Sequence, residues 1–242
     1  MNRILSIILI CIMLSSCIYT QVKLSDTDLK NIRKVGLVSL LPEDINLHYV
    51  GVTVFNNTYN RADISGFDAN KIAAEVGKND LKKSGIEVVE LKGQKGWIKS
   101  LYRNSYSSPN KDAIQSELEK LARSADVSHM VVIYSNPVQD RIAGSAEFNS
   151  GYGIFKRVVR PPAAYSSISV DIAEIVPFKY LISSGAFTMR SLPQSLWHSE
   201  YEDDNKEKVR IPNNQNKIIS DSINETLRES VSNALKYAGL TN

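Results

Sequence analysis

The chain has 242 residues, of which 43% are hydrophobic and 23% are charged, and this is the composition of an ordinary globular protein. That balance excludes a disordered chain, a collagen-like chain and a coiled coil. The 29 basic and 26 acidic residues leave a net charge of +3. Without a clustered basic face, a charge this small does not favour a nucleic-acid partner. With two cysteines, a disulfide-stapled scaffold is excluded as well.

Residues 1–16 have the layout of a cleaved secretory signal peptide. Arg3 supplies the positive charge, residues 4–14 are almost entirely apolar, and the small residues Ser15 and Ser16 precede Cys17. The apolar run is shorter than the roughly 20 residues that a membrane-spanning helix needs. We therefore expect an exported chain without a permanent transmembrane helix. A plain secretory signal with an incidental cysteine, or a buried apolar amino-terminal segment, is the alternative.

The sequence LSSC at residues 14–17 resembles the lipobox of bacterial lipoproteins. The resemblance implies that Cys17 receives a diacylglyceryl group and an acyl chain such as palmitate, which would hold the mature chain on a membrane. Asp after the cysteine retains lipoproteins in the inner membrane of some Gram-negative bacteria, whereas Ile18 stands here. This favours the outer membrane, facing the periplasm, if the source is Gram-negative. With Cys17 lipidated and Cys11 removed, no thiol would remain for catalysis or metal binding.

The mature chain is predicted to form a lipidated tether over residues 17–33 and one α/β domain over residues 34–240. The polar part of the tether, residues 18–31, is read as a tether or a leading helix. Alternating apolar runs and helical stripes then predict these elements: strands at 34–41 and 47–55, a helix at 67–84 between Asp68 and Gly85, a strand at 86–91, a helix after Ser108-Pro109, a strand at 130–134, a half-exposed hairpin over 167–189, a surface loop at 199–215, and a helix at 217–238.

This order of elements predicts a mixed sheet with flanking helices, a C-terminal hairpin and a long terminal helix. The runs at 34–41 and 47–55 predict two neighbouring strands, and the helical crossovers that follow normally join parallel strands. The segments KVGLVSLL, LKKSGIEVVEL, ARSADVSHMVVIY and SISVDIAEIVPFKYLISSG resemble the small α/β domains of the curli-assembly lipoprotein family. They are also similar to the amino-terminal domain of the Tol-system propeller protein. The resemblance implies an envelope assembly or binding module and transfers no functional residue.

Motifs for cofactors and metals are missing from the sequence. It has neither a phosphate-binding G-x-x-x-x-G-K-[ST] loop nor a strand-linked G-x-G-x-x-G, and the short Gly151-Tyr152-Gly153 predicts a turn into a strand. His48, His129 and His198 are far apart in sequence and form no metal-binding pair. The acidic cluster Glu200, Glu202, Asp203 and Asp204 reads as a solvated loop. We therefore expect neither a cofactor nor a metal.

A hydrolase tethered to the membrane is the alternative to a binding protein. Ser145, with His129 or His48 and Asp140, is the least implausible catalytic set, although Ser145 lies in no G-x-S-x-G elbow. Triads are defined by geometry, so sequence alone leaves this set open. On the favoured reading, no residue of the chain is catalytic.

A short aromatic and basic stretch is the candidate interaction surface. It contains six residues: Lys95, Trp97, Lys99, Tyr102, Arg103 and Tyr106. Aromatic side chains and arginine are favoured at interfaces, so the stretch is predicted to contact another envelope protein or an anionic envelope polymer. The competing reading is that Trp97, Ile98 and Leu101 face the core. The sequence thus favours a non-catalytic, lipid-anchored binding or assembly-accessory module of the bacterial envelope.

Overall fold

The computed structural model describes residues 23–102, 110–136, 138–139, 148–149, 151–202 and 208–241. The described elements, in chain order, are α1 (Asp26–Asn31), β1 (Lys34–Ser39), β2 (Ile45–Val50), β3 (Thr58–Asp63), α2 (Ala69–Lys83), β4 (Glu87–Glu90), α3 (Lys95–Leu101), α4 (Gln115–Ser124), β5 (His129–Ser135), β6 (Val138–Gln139), β7 (Phe148–Asn149), β8 (Gly151–Arg157), β9 (Ala163–Ile175), β10 (Phe178–Ser191), β11 (Val209–Arg210) and α5 (Asn213–Ala238). Within these residues the fold is a single α/β domain with a nine-stranded mixed sheet, as predicted.

The first half forms the predicted crossover. β1 pairs in parallel with both β4 and β5, and α2 connects the β3 end of the chain to β4. Asp68 caps α2 by accepting a hydrogen bond from the Lys71 N–H, and Gly85 adopts a left-handed φ of 81° after the helix. Both boundary residues were predicted from the sequence.

β9 organises the whole sheet. One edge of β9 pairs with β10 along its full length, and the other edge pairs with β8 over its first half and with β5 over its second half. β5 and β8 therefore lie in line, with Ser135 opposite Ile168 and Gly151 opposite Ser167. β1 and β2 lie in line in the same way, because β1 pairs with β5 and β2 pairs with β8.

Helices cover the sheet from both sides. α2 and α5 pack on one face and enclose the larger core, to which α5 contributes the predicted stripe of Ile219, Ile223, Leu227 and Val231, all fully buried. α3 and α4 pack over β1 and β5 on the other face. Among the described residues, none of the helices has the length and apolar character needed to cross a bilayer.

Three predictions differ from the structure. The strand predicted over 47–55 ends at Val50 and is followed by β3, and it lies in line with β1 instead of beside it. The hairpin is half exposed only on β10, which mixes buried and exposed residues, because β9 is a central strand whose Ser and Asp side chains are buried. The predicted surface loop at 199–215 contains the buried anchors Tyr201, Val209 and Ile211 and the start of α5.

Candidate functional site

A notch interrupts the outer edge of the sheet where β1 passes into β2. β4 pairs with β1 and ends at Glu90, opposite Leu37. β3 pairs with β2 and runs towards β4, but it ends at Asp63, one residue after Ala62, which pairs with Ile45. Residues 38–44 therefore have no neighbouring strand on that side among the described residues. In open α/β sheets, ligands bind at the carboxyl ends of strands beside such breaks in topology.

The side chain of Asn70 takes the place of the missing strand. Its Oδ1 accepts hydrogen bonds from the Leu41 N–H at 2.8 Å and from the Ser39 hydroxyl at 2.9 Å. Its Nδ2 donates to the Leu41 carbonyl at 2.9 Å. Asn70 stands in the first turn of α2, so these bonds fix the helix start against the end of β1. The wall of the notch is therefore rigid.

The notch holds a cavity of about 610 Å³. Four segments line it: the β1–β2 connection, the turn after β3, the start of α2, and the β11–α5 junction. Its charged side chains are Glu43, Asp63, Asp68 and Arg210. Lys208 bonds Asp63 at 3.3 Å from outside the cavity. Sequence reasoning missed this site because no single segment carries its signal.

A second candidate site is an apolar tip formed by Val52, Phe55, Val158 and Val159. Phe55 is 92% exposed, Val159 is 85% exposed and Val52 is 83% exposed. The four residues lie on two neighbouring connections, since β2 and β8 end side by side with Val50 opposite Arg157. Apolar side chains clustered at the surface are typical of an interaction site.

The connection after β2 holds its apolar side chains outward by its own hydrogen bonds. The Gly51 N–H donates to Asn57 Oδ1 at 2.9 Å, and the Asn56 N–H donates to the Thr53 carbonyl at 3.0 Å. The Thr53 hydroxyl donates to Asn56 Oδ1 at 2.6 Å. A Cβ on Gly51 would lie 2.3 Å from the Asn56 Cβ, so this close turn requires glycine. The exposure of Phe55 is thus built into an ordered turn.

The connection after β8 is also ordered. The Val158 N–H donates to the Val50 carbonyl at 3.3 Å, and the Arg160 N–H donates to the Arg157 carbonyl at 3.1 Å. Pro161-Pro162 then leads into β9. Residues 51–57 carry no charged side chain, whereas Arg157 ends β8 and Arg160 lies in the connection after it, so this side of the tip is basic.

An aromatic cluster supports the tip from below. Tyr49 stacks on Trp197 with ring centroids 6.1 Å apart, and Lys156 Nζ lies 5.8 Å from each ring. Trp197 Nε1 donates to Glu202 Oε1 at 2.8 Å. Tyr49 and Glu202 also line a cleft of about 450 Å³ beside Phe55. The tip therefore combines projecting side chains with an adjacent hollow.

The residues of the predicted interaction stretch that the structure describes are partly buried and partly exposed. Trp97 and Tyr102 are buried, and the Tyr102 hydroxyl donates to the Leu40 carbonyl and accepts from the Ser135 N–H. Lys99 is exposed on α3, and Lys95 begins that helix. Arg103 and Tyr106 lie outside the described residues, as does Cys17. The competing reading of Trp97 as a core residue is confirmed, and contact of the stretch with a partner stays a prediction.

The histidines of the suggested triad are enclosed. His48 is buried and stacks on Tyr59 at 4.2 Å, and Phe155 meets it edge-on. His129 is buried beside the Ser128 hydroxyl, and burial lowers the pKa of its imidazole despite the charge of Glu174. Ser145 and Asp140 lie outside the described residues. In the part of the chain that the structure describes, no three His, Cys, Asp or Glu side chains gather to hold a metal ion.

A half-buried ion pair joins Asp171 of β9 to Lys111 in the turn before α4. Asp171 is 1% exposed, Lys111 Nζ lies 2.6 Å from its Oδ2, and the Tyr134 hydroxyl donates to its Oδ1 at 2.5 Å. Burial and the charge of Asp171 raise the pKa of Tyr134 far above its usual value, so the hydroxyl stays protonated. Lys111, Tyr134 and Asp171 are thus joined by an ion pair and a hydrogen bond, which indicates that the cluster holds the segment at Lys111 against the sheet.

No protein-family model and no curated protein matches the chain. Several solved structures resemble it in fold. The PelC dodecamer from Paraburkholderia phytofirmans shares 11% identity and a TM-score of 0.36, covering 87% of this chain and 89% of that chain. Lipoprotein GNA1162 from Neisseria meningitidis shares 12% identity and a TM-score of 0.35, covering 70% and 89%. Protein XCC0632 from Xanthomonas campestris shares 8% identity and a TM-score of 0.41, covering 93% and 88%. Similarities this low assign no family.

Proposed function

We propose that this chain is a non-catalytic lipoprotein of the bacterial envelope whose α/β domain docks another envelope protein through the apolar tip. The observation that carries the proposal is the exposure of Phe55, Val52 and Val159 on ordered turns. Burying such side chains against a partner gains about 25 cal/mol for each Å² removed from water. Ordered turns lose little conformational freedom on binding, which favours affinity.

The lipid anchor is supported by the order of charge, apolar run, small residues and cysteine at the amino terminus. Six residues separate Cys17 from Leu24, and Leu24 is buried in the larger core with its N–H bonded to the Ala238 carbonyl. Extended, that segment spans about 25 Å at most. The domain is then held close to its membrane, on the outer membrane facing the periplasm if the source is Gram-negative.

The position of the tip favours a protein partner over the anchoring bilayer. The tip lies where β9 begins, whereas the chain anchored at Leu24 passes through α1 and enters β1 at the level where β9 ends. The 13 residues of β9 extend over about 40 Å. A tether of about 25 Å is shorter than this distance, so an upright domain presents the tip away from the membrane. The partner surface should offer an apolar hollow with a carboxylate rim, which complements Arg157 and Arg160.

Site-specific photocrosslinking in cells tests the docking surface. A benzophenone side chain at position 55 should give a discrete crosslinked species, and Val159→Asp in the same chain should abolish it. Val176 is the matched control, because it is 67% exposed in the turn at the opposite end of β9. Equal crosslinking from positions 55 and 176 would contradict a specific tip surface.

The anchor is tested separately by Cys17→Ser. We expect this substitution to abolish incorporation of labelled fatty acid and to release the protein from membranes. Unchanged membrane retention would contradict the anchor while leaving the tip proposal intact. Within the same proposal, Lys99 of the stretch from Lys95 to Tyr106 is a second candidate contact, and Lys99→Glu should then weaken the same crosslink.

A further inference from the structure

The notch contains the larger of the two cavities described above, and the docking proposal does not use it. Its volume of about 610 Å³ lies within the range of small-molecule sites. We propose that the notch binds a neutral saccharide. This inference goes beyond docking at the tip, because the two sites share no lining residue among those described.

The lining carries charges of both signs, and its carboxylates outnumber its guanidinium, which selects against an anion. An anion would meet the carboxylates of Glu43, Asp63 and Asp68, and a cation would meet the guanidinium of Arg210. Among the described residues, no cluster of side chains has the arrangement needed for a metal ion. A ligand with many hydroxyl groups is suited to this mixture, since each hydroxyl both donates to a carboxylate and accepts from a guanidinium or an amide.

One amide in the notch has an unsatisfied acceptor. Asn216 Oδ1 is buried and has no hydrogen-bond partner among the described residues. A buried polar atom without a partner is unfavourable, and a rotation of the amide towards the cavity would let a ligand hydroxyl satisfy it. Asn213, one turn earlier on α5, brings a second amide to the lining, and Ser65, in the turn after β3, brings a hydroxyl.

The notch also has an apolar wall. Phe67 is half-buried and packs against Tyr152 with ring centroids 5.8 Å apart, so its ring is held in place. Ile64 and Ile211 are buried beside it in the lining. The C–H face of a pyranose ring is apolar and flat enough to stack on such an aromatic ring, while its hydroxyls point to the polar groups.

Ligand-observed NMR with three neutral trisaccharides, maltotriose, cellotriose and tri-N-acetylchitotriose, tests the proposal. The lipidated protein is used in a detergent that carries no sugar headgroup. We expect saturation transfer to at least one trisaccharide at millimolar concentration, and at least tenfold weaker binding by Phe67→Ala and by Asn216→Ala. Asn214→Ala is the matched control, because Asn214 is exposed on the same turn of α5 and does not line the cavity.

Three outcomes would overturn the proposal. They are failure of all three trisaccharides to bind, binding that survives both Phe67→Ala and Asn216→Ala, and competition by inorganic phosphate or calcium that shows an ion site instead. If Phe67→Ala fails to fold, Asn216→Ala alone decides. Loss of the crosslink at position 55 would leave saccharide binding unchanged, so failure of the docking proposal and failure of this one are distinguishable.

Discussion

Asn70 is the residue on which the junction of β1 and α2 depends most directly. Asn70→Ala removes three hydrogen bonds and leaves the Leu41 N–H and carbonyl without their partner. We expect the free energy of unfolding to fall by about 2 kcal/mol. Urea denaturation measures it, with Asn214→Ala as the exposed control. A loss equal to that of the control would show that water replaces the amide without cost.

The buried carboxylate of Asp171 makes a second prediction. Lys111→Met leaves its charge without a cation, and we expect a loss of about 2 kcal/mol, because water still reaches the 31% exposed Lys111 side chain. Adding Asp171→Asn should recover part of that loss. The four unfolding curves of this double-mutant cycle give the coupling between the two residues. Additive effects would show that the ion pair contributes nothing to stability.

His129 predicts the direction of one pH effect. Burial lowers the pKa of its imidazole in the folded state, although the charges of Glu174 and Asp28 oppose this. Between that lowered pKa and the unfolded value of about 6.5, the unfolded chain binds more protons, so stability rises with pH. Acidification from about pH 7.5 to about pH 5.5 should therefore destabilise the wild type more than His129→Gln. Equal losses in urea denaturation at the two pH values would contradict this.

At the scale of elements, the strand pair β2 and β8 depends on one glycine. A Cβ on Gly153 would lie 1.9 Å from the carbonyl oxygen of Asn46, its partner in the ladder. Gly153→Ala must therefore push the two strands apart, and we expect a loss of at least about 3 kcal/mol.

Gly96 is the matched control for that substitution. It stands in α3, and a Cβ added there would meet no heavy atom of the described residues within 4 Å beyond the backbone of its own helix. Gly96→Ala should therefore stabilise the chain by about 0.5–1 kcal/mol. Chemical denaturation of the two variants should give changes of opposite sign. A tolerated Gly153→Ala would mean that the β2–β8 pairing relaxes easily.

Elements with strong local signals were predictable from the sequence, and β3 was not. α2 carries a capping Asp68 and a terminal Gly85, and α5 carries an apolar stripe that ends before Gly239. The buried residues of β3 include Thr58 and Asn60, which bond the Tyr201 carbonyl at 3.4 Å and 2.9 Å. A strand whose inward side chains are polar shows no apolar alternation, because its partners come from a distant segment.

At the scale of the whole molecule, both candidate sites escaped prediction because they are assembled from distant segments. The sequence pattern predicts Val52 and Phe55 as strand residues, since they extend the β-branched run of β2. The hydrogen bonds of the turn and the close approach of Gly51 to Asn56 hold them outward. The notch forms only where four segments meet, and its two ends are set by where β4 stops pairing with β1 and where β3 stops pairing with β2.

The exposed tip makes a prediction that separates stability from surface chemistry. Phe55→Asp and Val159→Asp together should change the free energy of unfolding by no more than about 0.5 kcal/mol, because neither side chain is packed. Retention on a hydrophobic-interaction column should fall at the same time, because apolar surface is lost. A large loss of stability would show that the tip side chains pack against the fold.

The alignment of β5 with β8 has a consequence for how the chain tolerates changes in length. Ser135 and Gly151 lie opposite neighbouring residues of β9, Ile168 and Ser167, so the ladder advances by one step while the chain advances by sixteen. In sequence, residues 136–150 are therefore inserted between two strands, β5 and β8, that pair with β9 as one continuous strand would. A chain that joins Ser135 directly to Gly151 would keep the same pairing, which makes this point a natural place for exchange or grafting of segments.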